Sequence, residues 1–491
     1  MKNIFIKAMA GLLLAASATA CGDKFLDTKI YNGIDLDTGL NSVENIGNAL
    51  NGCYYRFYQY YFAGNYSTVI GDVASDLTYI HGNTGHFKTI FNFTYQATDS
   101  YLTNIWNVGY KVIDNSSRVI KACNELSEDA TASEKEELDL YKAEALSLRA
   151  YATLSLTNIF GHQIKVNGQD FSNELGVVVV DEPIEAYAEV ERATVGDCYT
   201  AIVKDLTTAI ALFDAVGDRQ DLYVFGKAAA YGLLARTYTY MENWSGARQA
   251  AADAIAESGI TSLTYSPAAY KALYNTASSN NESMFALAIT PSNNWSANSA
   301  GTLFTTYGLS PSPYLLSLYS ADDCRRSIIT FTIDENDNIR YDGGKFGAYA
   351  YSNAAYATNY LINAPEMFLI QAEAYLNDGA GNITEAQKAL FVVAHRNPDI
   401  ADATDLPSDA AGLMNFIQEE RARELFQEGL RLWDLRRWNK TTGLSAAEYP
   451  AIKWLIQPTQ VGNFVYPIPE AEINAGFGVV QTPGWSDVRP K

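Results

Sequence analysis

The sequence predicts a mainly α protein, a tetratricopeptide-like helical-repeat scaffold with large irregular loop regions and a few short hairpins. Two segments, Phe225–Ser258 and Pro365–Asn397, place alanine and aromatic residues at the spacing of a tetratricopeptide repeat. Because one helix pair cannot bury its own apolar side, two such pairs imply a stack of pairs with a shared core. Between them, residues 259–360 lose the helical period and contain four prolines, so this part is predicted to be loop-rich.

The first 20 residues have the features of a bacterial export signal. A short basic start is followed by an apolar block at residues 8–16, which is too short to span a bilayer. Small residues then precede Cys21, which is similar to the acylated cysteine of a lipoprotein. We therefore predict a signal peptide at 1–20 and a lipid-anchored tether at 21–41. Ordinary cleavage near Ala20, without a lipid, is the alternative.

The remaining residues, 42–491, are predicted to form a single domain. Its helical N-terminal part spans 42–258, its loop-rich excursion spans 259–360, and its C-terminal helices and tail span 361–491. Helical spacing predicts helices at residues 42–62, 101–126, 133–160 and 194–213. The aromatic-rich end of the first helix, residues 54–62, is predicted to be core, with a carbohydrate platform as the alternative. Residues 71–85 break the helical pattern and are predicted to form a loop, and residues 330–341 are predicted to form a hairpin.

The segment Gln418–Trp438 is predicted to be one amphipathic helix that organises the rest of the chain. Arg421 and Glu428 fall on its apolar side, where a charge needs a partner, so we predict an ion-paired core helix. Gly429 is the one small residue of this segment at which another backbone could approach closely. The side chains that we assign to architecture rather than to chemistry are Glu420, Arg421, Glu424, Glu428, Asp434 and Trp438.

Composition limits the class of partner. The 491 residues carry a formal net charge of −21, which argues against nucleic acid and anionic membrane surfaces. The 33 tyrosines and 7 tryptophans supply many flat, amphipathic side chains of the kind that sugar and peptide sites use. The four cysteines after Cys21 form no C-x-x-C pair, so we predict neither a metal site nor a redox motif.

A resemblance to a known family rests on three blocks of sequence. The longest is Glu420, Arg421, Glu424, Leu425, Glu428, Gly429, Arg431, Asp434, Leu435, Arg437 and Trp438, which resembles the ER-x-x-EL-x-x-EG-x-R-x-x-DL-x-RW signature of the SusD/RagB family. Residues 144–161 are similar to a second family block. Residues 466–485 are similar to the family's ending, with Thr482 and Trp485 replacing the usual Asn and Tyr.

The resemblance implies a function and a location. The family consists of outer-membrane nutrient-binding lipoproteins that lie over a SusC-like TonB-dependent transporter. By this resemblance the chain is a non-catalytic surface lipoprotein, anchored to the outer membrane by lipid and facing the cell exterior. It would capture an oligosaccharide or glycan and deliver it to the transporter, without a cofactor and without binding nucleic acid.

The ligand contacts of the family come from loops of the kind predicted at residues 71–85 and in the middle irregular region. From these loops we predict Asp76, Tyr79, His81, Trp295 and Tyr307 as ligand contacts, on loop position and side-chain chemistry alone. Aromatic rings would stack on the apolar faces of sugars, and polar groups would bind the hydroxyls. We predict no catalytic residue and no metal ligand.

Three alternatives stay open. An exported glycoside hydrolase needs two carboxylates in a cleft, and Glu420 and Glu424 are the only tempting pair. A binding protein for peptides or other non-sugar nutrients would use the same aromatic loops. A pure adaptor would use the repeat surface to bind proteins. The absence of an H-E-x-x-H motif, a Gly-x-Ser-x-Gly motif and a P-loop argues against the common enzyme classes.

Overall fold

The computed structural model describes residues 39–80, 85–333, 335, 337, 339–379, 381–442, 459–460 and 464–488. Within these ranges the chain is mainly α-helical, which confirms the predicted fold class. The helices are α1 (Val43–Tyr58), α2 (Tyr66–Val73), α3 (Lys88–Phe91), α4 (Ser100–Leu126), α5 (Ala132–Phe160), α6 (Val195–Val216), α7 (Lys227–Tyr240), α8 (Trp244–Ser258), α9 (Pro267–Ala272), α10 (Ala300–Thr305), α11 (Pro313–Leu318), α12 (Ala364–Asn377), α13 (Ile383–Ala394), α14 (Ala410–Leu425), α15 (Arg431–Arg437), α16 (Glu470–Ala475) and α17 (Trp485–Val488).

The strands are short and pair antiparallel in twos. The pairs are β1 (Thr78–Ile80) with β5 (Leu309–Pro311), β2 (Lys165–Val166) with β3 (Gln169–Asp170), β4 (Ser283–Ala286) with β8 (Tyr360–Asn363), β6 (Phe331–Ile333) with β7 (Ile339–Tyr341), and β9 (Thr441–Thr442) with β10 (Thr459–Gln460). The β6–β7 pair is the predicted hairpin. The β1–β5 pair joins the loop after α2 to the loop-rich middle region.

The long helices form a continuous row in which each packs on its neighbour. Helix α1 packs on α4, α4 on α5, α5 on α6, α6 on α7 and α7 on α8. Helix α8 then packs on α12, and α12 packs on α13 and α14. The two predicted repeat pairs are therefore α7–α8 and α12–α13, and they are adjacent in space although about 100 residues separate them. This row confirms the helical-repeat scaffold.

Buried ion pairs join neighbouring helices of the row. Arg149 of α5 binds both carboxylate oxygens of Asp205 of α6, with N–O distances of 2.7 Å. Arg236 of α7 binds both oxygens of Glu366 of α12 at 2.8 and 2.6 Å. All four side chains are nearly inaccessible to solvent. Since removing one partner of a buried pair leaves an uncompensated charge, these contacts fix how the helices are placed relative to each other.

The prediction of a single helix at Gln418–Trp438 is wrong. Helix α14 ends at Leu425, and α15 begins at Arg431 after a turn in which Gln427 and Gly429 both have positive φ, +68° and +74°. The Gln427 side chain stabilises the turn, because it accepts the Lys345 N–H at 2.9 Å and donates to the Gly343 carbonyl at 2.9 Å. These partners come from a distant segment, so the helical pattern could not reveal the break.

Two further boundaries differ from the prediction. Helix α1 ends at Tyr58 rather than at residue 62, and a series of turns follows to Asn65. The predicted loop at 71–85 begins later, because α2 continues through Gly71 to Val73. Glycine is required at position 71, because a Cβ there would lie 2.0 Å from the carbonyl oxygen of Gly429.

The predicted signal peptide, Cys21, nearly all of the predicted tether and His81 lie outside the described residues. None of the helices in the described ranges has both the length and the apolar character needed to cross a membrane. Cys53, Cys123, Cys198 and Cys324 are buried free thiols.

Candidate functional site

Six aromatic side chains form a connected surface cluster, which we call the aromatic platform: Tyr58, Tyr60, Tyr61, Tyr66, Tyr101 and Trp295. Ring centroids of neighbouring members lie 4.0 to 5.7 Å apart, along a path from Tyr58 to Trp295, then through Tyr60, Tyr61 and Tyr66 to Tyr101. All except Tyr58 are half-buried, so the rings keep accessible area while packing on each other.

Hydrogen bonds hold Trp295 against the end of α1. Its indole Nε1 donates to the Tyr58 carbonyl oxygen at 3.0 Å, and the Tyr58 hydroxyl donates to the Asn293 carbonyl oxygen at 2.8 Å. The Asn65 side chain donates to the Asn298 carbonyl oxygen at 2.9 Å. The loop at 293–298 is therefore attached at three points to the end of α1 and the turn that follows it, which fixes the Trp295 ring in the platform.

The hydroxyl groups of Tyr60 and Tyr66 stay protonated at neutral pH. Burial, together with the Tyr61 side chain, raises the pKa of Tyr60 to about 12. Burial also raises the pKa of Tyr66, with a further contribution from Tyr101. Neutral phenols both donate and accept hydrogen bonds, and their rings present apolar faces. Such a surface suits a ligand with alternating C–H faces and hydroxyl groups.

A second ring stack adjoins the platform along the chain. His86 and Tyr307 stack with centroids 3.8 Å apart and planes 25° apart. The next residue, Phe87, stacks on Tyr101 of the platform at 4.1 Å. Burial lowers the pKa of His86, so the imidazole is neutral at pH 7. Two of the predicted contacts are therefore connected. Trp295 belongs to the platform, and Tyr307 is linked to it through His86 and Phe87.

The other predicted contacts have different surroundings. Asp76 binds the Arg431 guanidinium through both carboxylate oxygens, each at 2.8 Å, and is largely buried. Tyr79 is half-buried in β1, opposite Ser310 of β5. Trp295 belongs to the platform and Tyr307 is linked to it through His86 and Phe87, whereas the Asp76 carboxylate is already engaged by the protein.

The charged side chains assigned to architecture are buried and paired. Arg325 binds Asp323 at 2.7 Å, Glu420 at 2.6 Å and Glu424 at 3.1 Å, and each of these side chains is 1% exposed. Burial acts to raise the pKa of Glu420, but attraction to Arg325 and Arg423 outweighs it and holds the pKa at about 2. Glu420 and Glu424 are thus unavailable to a substrate, and the glycoside hydrolase alternative loses the carboxylates on which it rested.

The remaining assigned residues extend this network. The Arg421 Nε lies 2.7 Å from Asp434, and Asp434 also accepts from Arg437 at 2.9 Å. Lys345 pairs with Glu428, and the Trp438 indole donates to Glu373 at 2.9 Å. Within the described residues, no cluster of three or more His, Cys, Asp or Glu side chains could hold a metal ion.

Sequence reasoning gave a platform only as the alternative for residues 54–62, and it did not identify Tyr66 or Tyr101. Tyr60 and Tyr61 were predicted as core because they continue the ring-rich end of a helix, yet α1 ends before them. Phe57 and Phe62, on either side, are buried as predicted. The accessibility of Tyr60 and Tyr61 depends on the turn that begins at Gln59.

Two family models match the chain. One, described as "Starch-binding associating with outer membrane", matches residues 24–239, and the other, described as "SusD family", matches residues 345–485. Together they match more than two thirds of the sequence. The chain belongs to the SusD/RagB family.

Solved structures of other proteins share the fold. A putative sugar binding protein from Bacteroides vulgatus ATCC 8482 is 24% identical with a TM-score of 0.80, over 91% of this chain and 99% of that chain. A SusD superfamily protein from Bacteroides thetaiotaomicron VPI-5482 is 24% identical with a TM-score of 0.78, over 90% and 100%. One from Bacteroides fragilis is 22% identical with a TM-score of 0.72, over 91% and 100%. No curated protein sequence matches this SusD/RagB chain.

Proposed function

We propose that this SusD/RagB-family protein binds oligosaccharides, without catalysis, on its aromatic platform. The observation that carries the proposal is the row of half-buried rings from Trp295 to Tyr101, fixed by hydrogen bonds and accessible at the surface. The description of one matching family model names starch binding, and a solved relative carries a sugar-binding title, which supports the same ligand class.

The binding mechanism follows from the geometry of the rings. Adjacent centroids about 4 to 6 Å apart allow several rings to contact the apolar faces of one oligosaccharide. The phenol hydroxyls supply donors and acceptors for the sugar hydroxyls. Because the rings are already fixed by packing, little side-chain entropy is lost on binding. Tyr307 remains a proposed contact beside this surface, and Tyr79 and His81 remain proposed contacts on sequence grounds.

The proposal includes a location and a partner. Residues 1–20 would direct export, and lipid on Cys21 would anchor the single domain at 42–491 to the outer membrane, facing the exterior. A SusC-like TonB-dependent transporter would receive the ligand. Family membership supports this assembly, and copurification of the transporter with the tagged protein from its native membrane tests it.

Loss of single rings tests the ligand class. We expect Trp295→Ala and Tyr61→Ala each to weaken binding of the best glycan from an array by about tenfold, since each removes roughly 1.4 kcal/mol of stacking. The matched control is Tyr55→Ala, because Tyr55 is a tyrosine of α1 that is 57% exposed and lies outside the platform. Binding is measured by isothermal titration calorimetry, and circular dichroism checks that each variant is folded.

Three results would reject this function. Equal glycan affinities in the platform variants and the control would place the ligand elsewhere. A screen in which peptides bind and glycans do not would favour the peptide alternative. Release of reducing ends from a bound glycan by the purified protein would restore the hydrolase alternative.

A further inference from the structure

A polar cavity of about 680 Å³ lies among the ends of the repeat helices, away from the platform residues. We call it the interhelical cavity. Its walls come from the α7–α8 turn, the end of α12, the side of α14, the residues after α15, and the β2–β3 turn. The volume is within the range of small-molecule sites in proteins. The residues that carry the argument are Trp244, Trp438, Asn377, Asn415, Gln418 and Asn167.

The charged groups in the wall are balanced and mostly engaged by the protein. Arg437 binds Glu373 at 2.6 Å and Asp434 at 2.9 Å, and all three side chains are buried. Glu242 accepts the Gly168 backbone N–H at 3.0 Å. Among the residues that the structure describes, Lys440 is the only other charged residue that lines the cavity, so this part of the wall holds two acids and two bases. An electrically neutral ligand matches this wall best.

Amide side chains supply the accessible polar groups. Asn415 is exposed on α14, and Gln418 lies one turn further along the same helix. Asn167 is exposed in the β2–β3 turn, and Asn377 is exposed at the end of α12. Each amide offers a carbonyl acceptor beside an NH₂ donor, which is the pairing that vicinal hydroxyl groups require. A hydroxyl-rich ligand therefore fits these groups better than an apolar one.

Two indole rings complete the wall. Trp438 is held in place because its Nε1 donates to Glu373 at 2.9 Å and its ring lies 4.4 Å from the Arg437 guanidinium. Trp244 begins α8 and is half-buried. Rings of this kind pack on the C–H faces of sugars. Indole rings beside side-chain amides form a combination that recognises a saccharide.

We propose that the interhelical cavity is a second saccharide site, specific for a neutral sugar or short neutral oligosaccharide. The inference rests on the proposed carbohydrate-binding function and extends it to a site that shares no residue with the aromatic platform. It assigns a ligand-facing role to Trp438 in addition to its structural contacts. It also gives the repeat helices a binding surface of their own.

Fluorine NMR distinguishes the two sites in one experiment. The protein contains seven tryptophans, so 5-fluorotryptophan labelling gives few resonances, which single Trp→Phe variants assign. The probes are hexasaccharides of α-1,4-glucose, β-1,4-glucose, β-1,4-mannose and β-1,4-xylose, with hexagalacturonate as the acidic comparison. We expect at least one neutral probe to shift the Trp244 and Trp438 resonances, with a concentration dependence that differs from that of Trp295.

Each outcome decides one or both proposals. A shift at Trp295 alone would overturn the second site and leave the platform standing. Shifts at Trp244 and Trp438 alone would support the second site and remove the platform. If none of the three tryptophan resonances shifts with any probe, both proposals are overturned. An equal response to hexagalacturonate would overturn the assignment of a neutral ligand.

Removal of one amide gives an independent test. Asn415→Ala removes hydrogen bonds to the ligand at an exposed helical position, so the helix should stay intact and the saccharide affinity reported by Trp244 should fall about fivefold. Asn51→Ala is the matched control, because Asn51 is an exposed asparagine of α1 that does not line the cavity. An unchanged affinity in Asn415→Ala would contradict the role of the amides.

Discussion

The Asp76–Arg431 ion pair gives the sharpest test of how the scaffold holds the site. Both guanidinium–carboxylate distances are 2.8 Å, and the side chains are 12% and 6% exposed. Breaking a buried pair by removing one partner costs about 3 to 5 kcal/mol. Asp76→Asn keeps one acceptor for Arg431 and Asp76 is slightly exposed, so we expect the free energy of unfolding to fall by about 2 to 3 kcal/mol.

Urea unfolding followed by circular dichroism measures this change. Arg431→Met and the double variant complete a double-mutant cycle, in which we expect a coupling energy of at least about 1.5 kcal/mol. The control is Asp114→Asn, which breaks the partly exposed Asp114–Arg118 pair of one helix. That pair should contribute less than about 0.5 kcal/mol.

The same variants decide what Asp76 does. A coupling energy near zero would refute the reasoning that this pair attaches the loop after α2 to α15. A stable Asp76→Asn protein that loses glycan affinity would instead support the sequence-based prediction that Asp76 contacts the ligand. Loss of stability with unchanged affinity of the folded protein would restrict Asp76 to the scaffold.

Three further substitutions test the segment around α14 and α15. Gly429→Ala should destabilise the fold by at least about 4 kcal/mol, because φ is +74° and the new Cβ would lie 1.7 Å from the Thr68 carbonyl oxygen. The control is Gly52→Ala, where no atom lies within 4 Å of the added Cβ, so thermal unfolding should show no loss of stability. Burial raises the pKa of Asp72 to about 7, so its contribution to stability is complete below about pH 4 and is lost as the pH rises to 7. The free energy of unfolding of Asp72→Asn, measured by urea unfolding, should therefore exceed that of the unsubstituted protein by roughly 3 to 4 kcal/mol at pH 8 and differ little at pH 4. An equal difference at both pH values would contradict a raised pKa. Arg421→Leu leaves buried Asp434 with Arg437 as its remaining ion partner and should cost about 3 kcal/mol, whereas an unchanged urea midpoint would contradict that burial.

The helical scaffold could be predicted because its signals are local. Helix α4 was predicted at 101–126 and is found at Ser100–Leu126. Helix α5 begins with a capping box in which Thr131 and Glu134 bind each other's backbone N–H groups, and it too begins close to the predicted residue. Periodic apolar residues and a polar cap lie within a few residues of each other, so they are readable in one dimension.

The break between α14 and α15 was not readable in the same way. The apolar spacing continues across it, and only Gly429 hints at a change of direction. The turn is set by Gln427, which is bound to Gly343 and Lys345, about 80 residues earlier in the chain. Arg423 of α14 is buried as well, because its guanidinium binds Glu420 and the carbonyl oxygen of Leu318.

The site was predicted only in part because its rings come from segments that are distant in sequence. Trp295 was identifiable as an aromatic residue in a loop-rich region. Tyr60 and Tyr61 were identifiable only as the alternative to core residues, since their exposure depends on where α1 ends. Asp76 had the chemistry of a ligand contact, and nothing nearby in the sequence indicated that Arg431 would bind it.

The ion-paired segment and the platform are mechanically linked through α2. Tyr66 of the platform is the first residue of α2, and the other end of this helix is held at two points. Gly71 touches Gly429, and the Asp72 carboxylate accepts the Gly429 N–H at 3.1 Å. A helix fixed at one end by backbone contact holds its first residue in a defined position. In the proposed binding mode, the contacts at Gly429 would serve binding indirectly, because they hold Tyr66 in position before a ligand arrives.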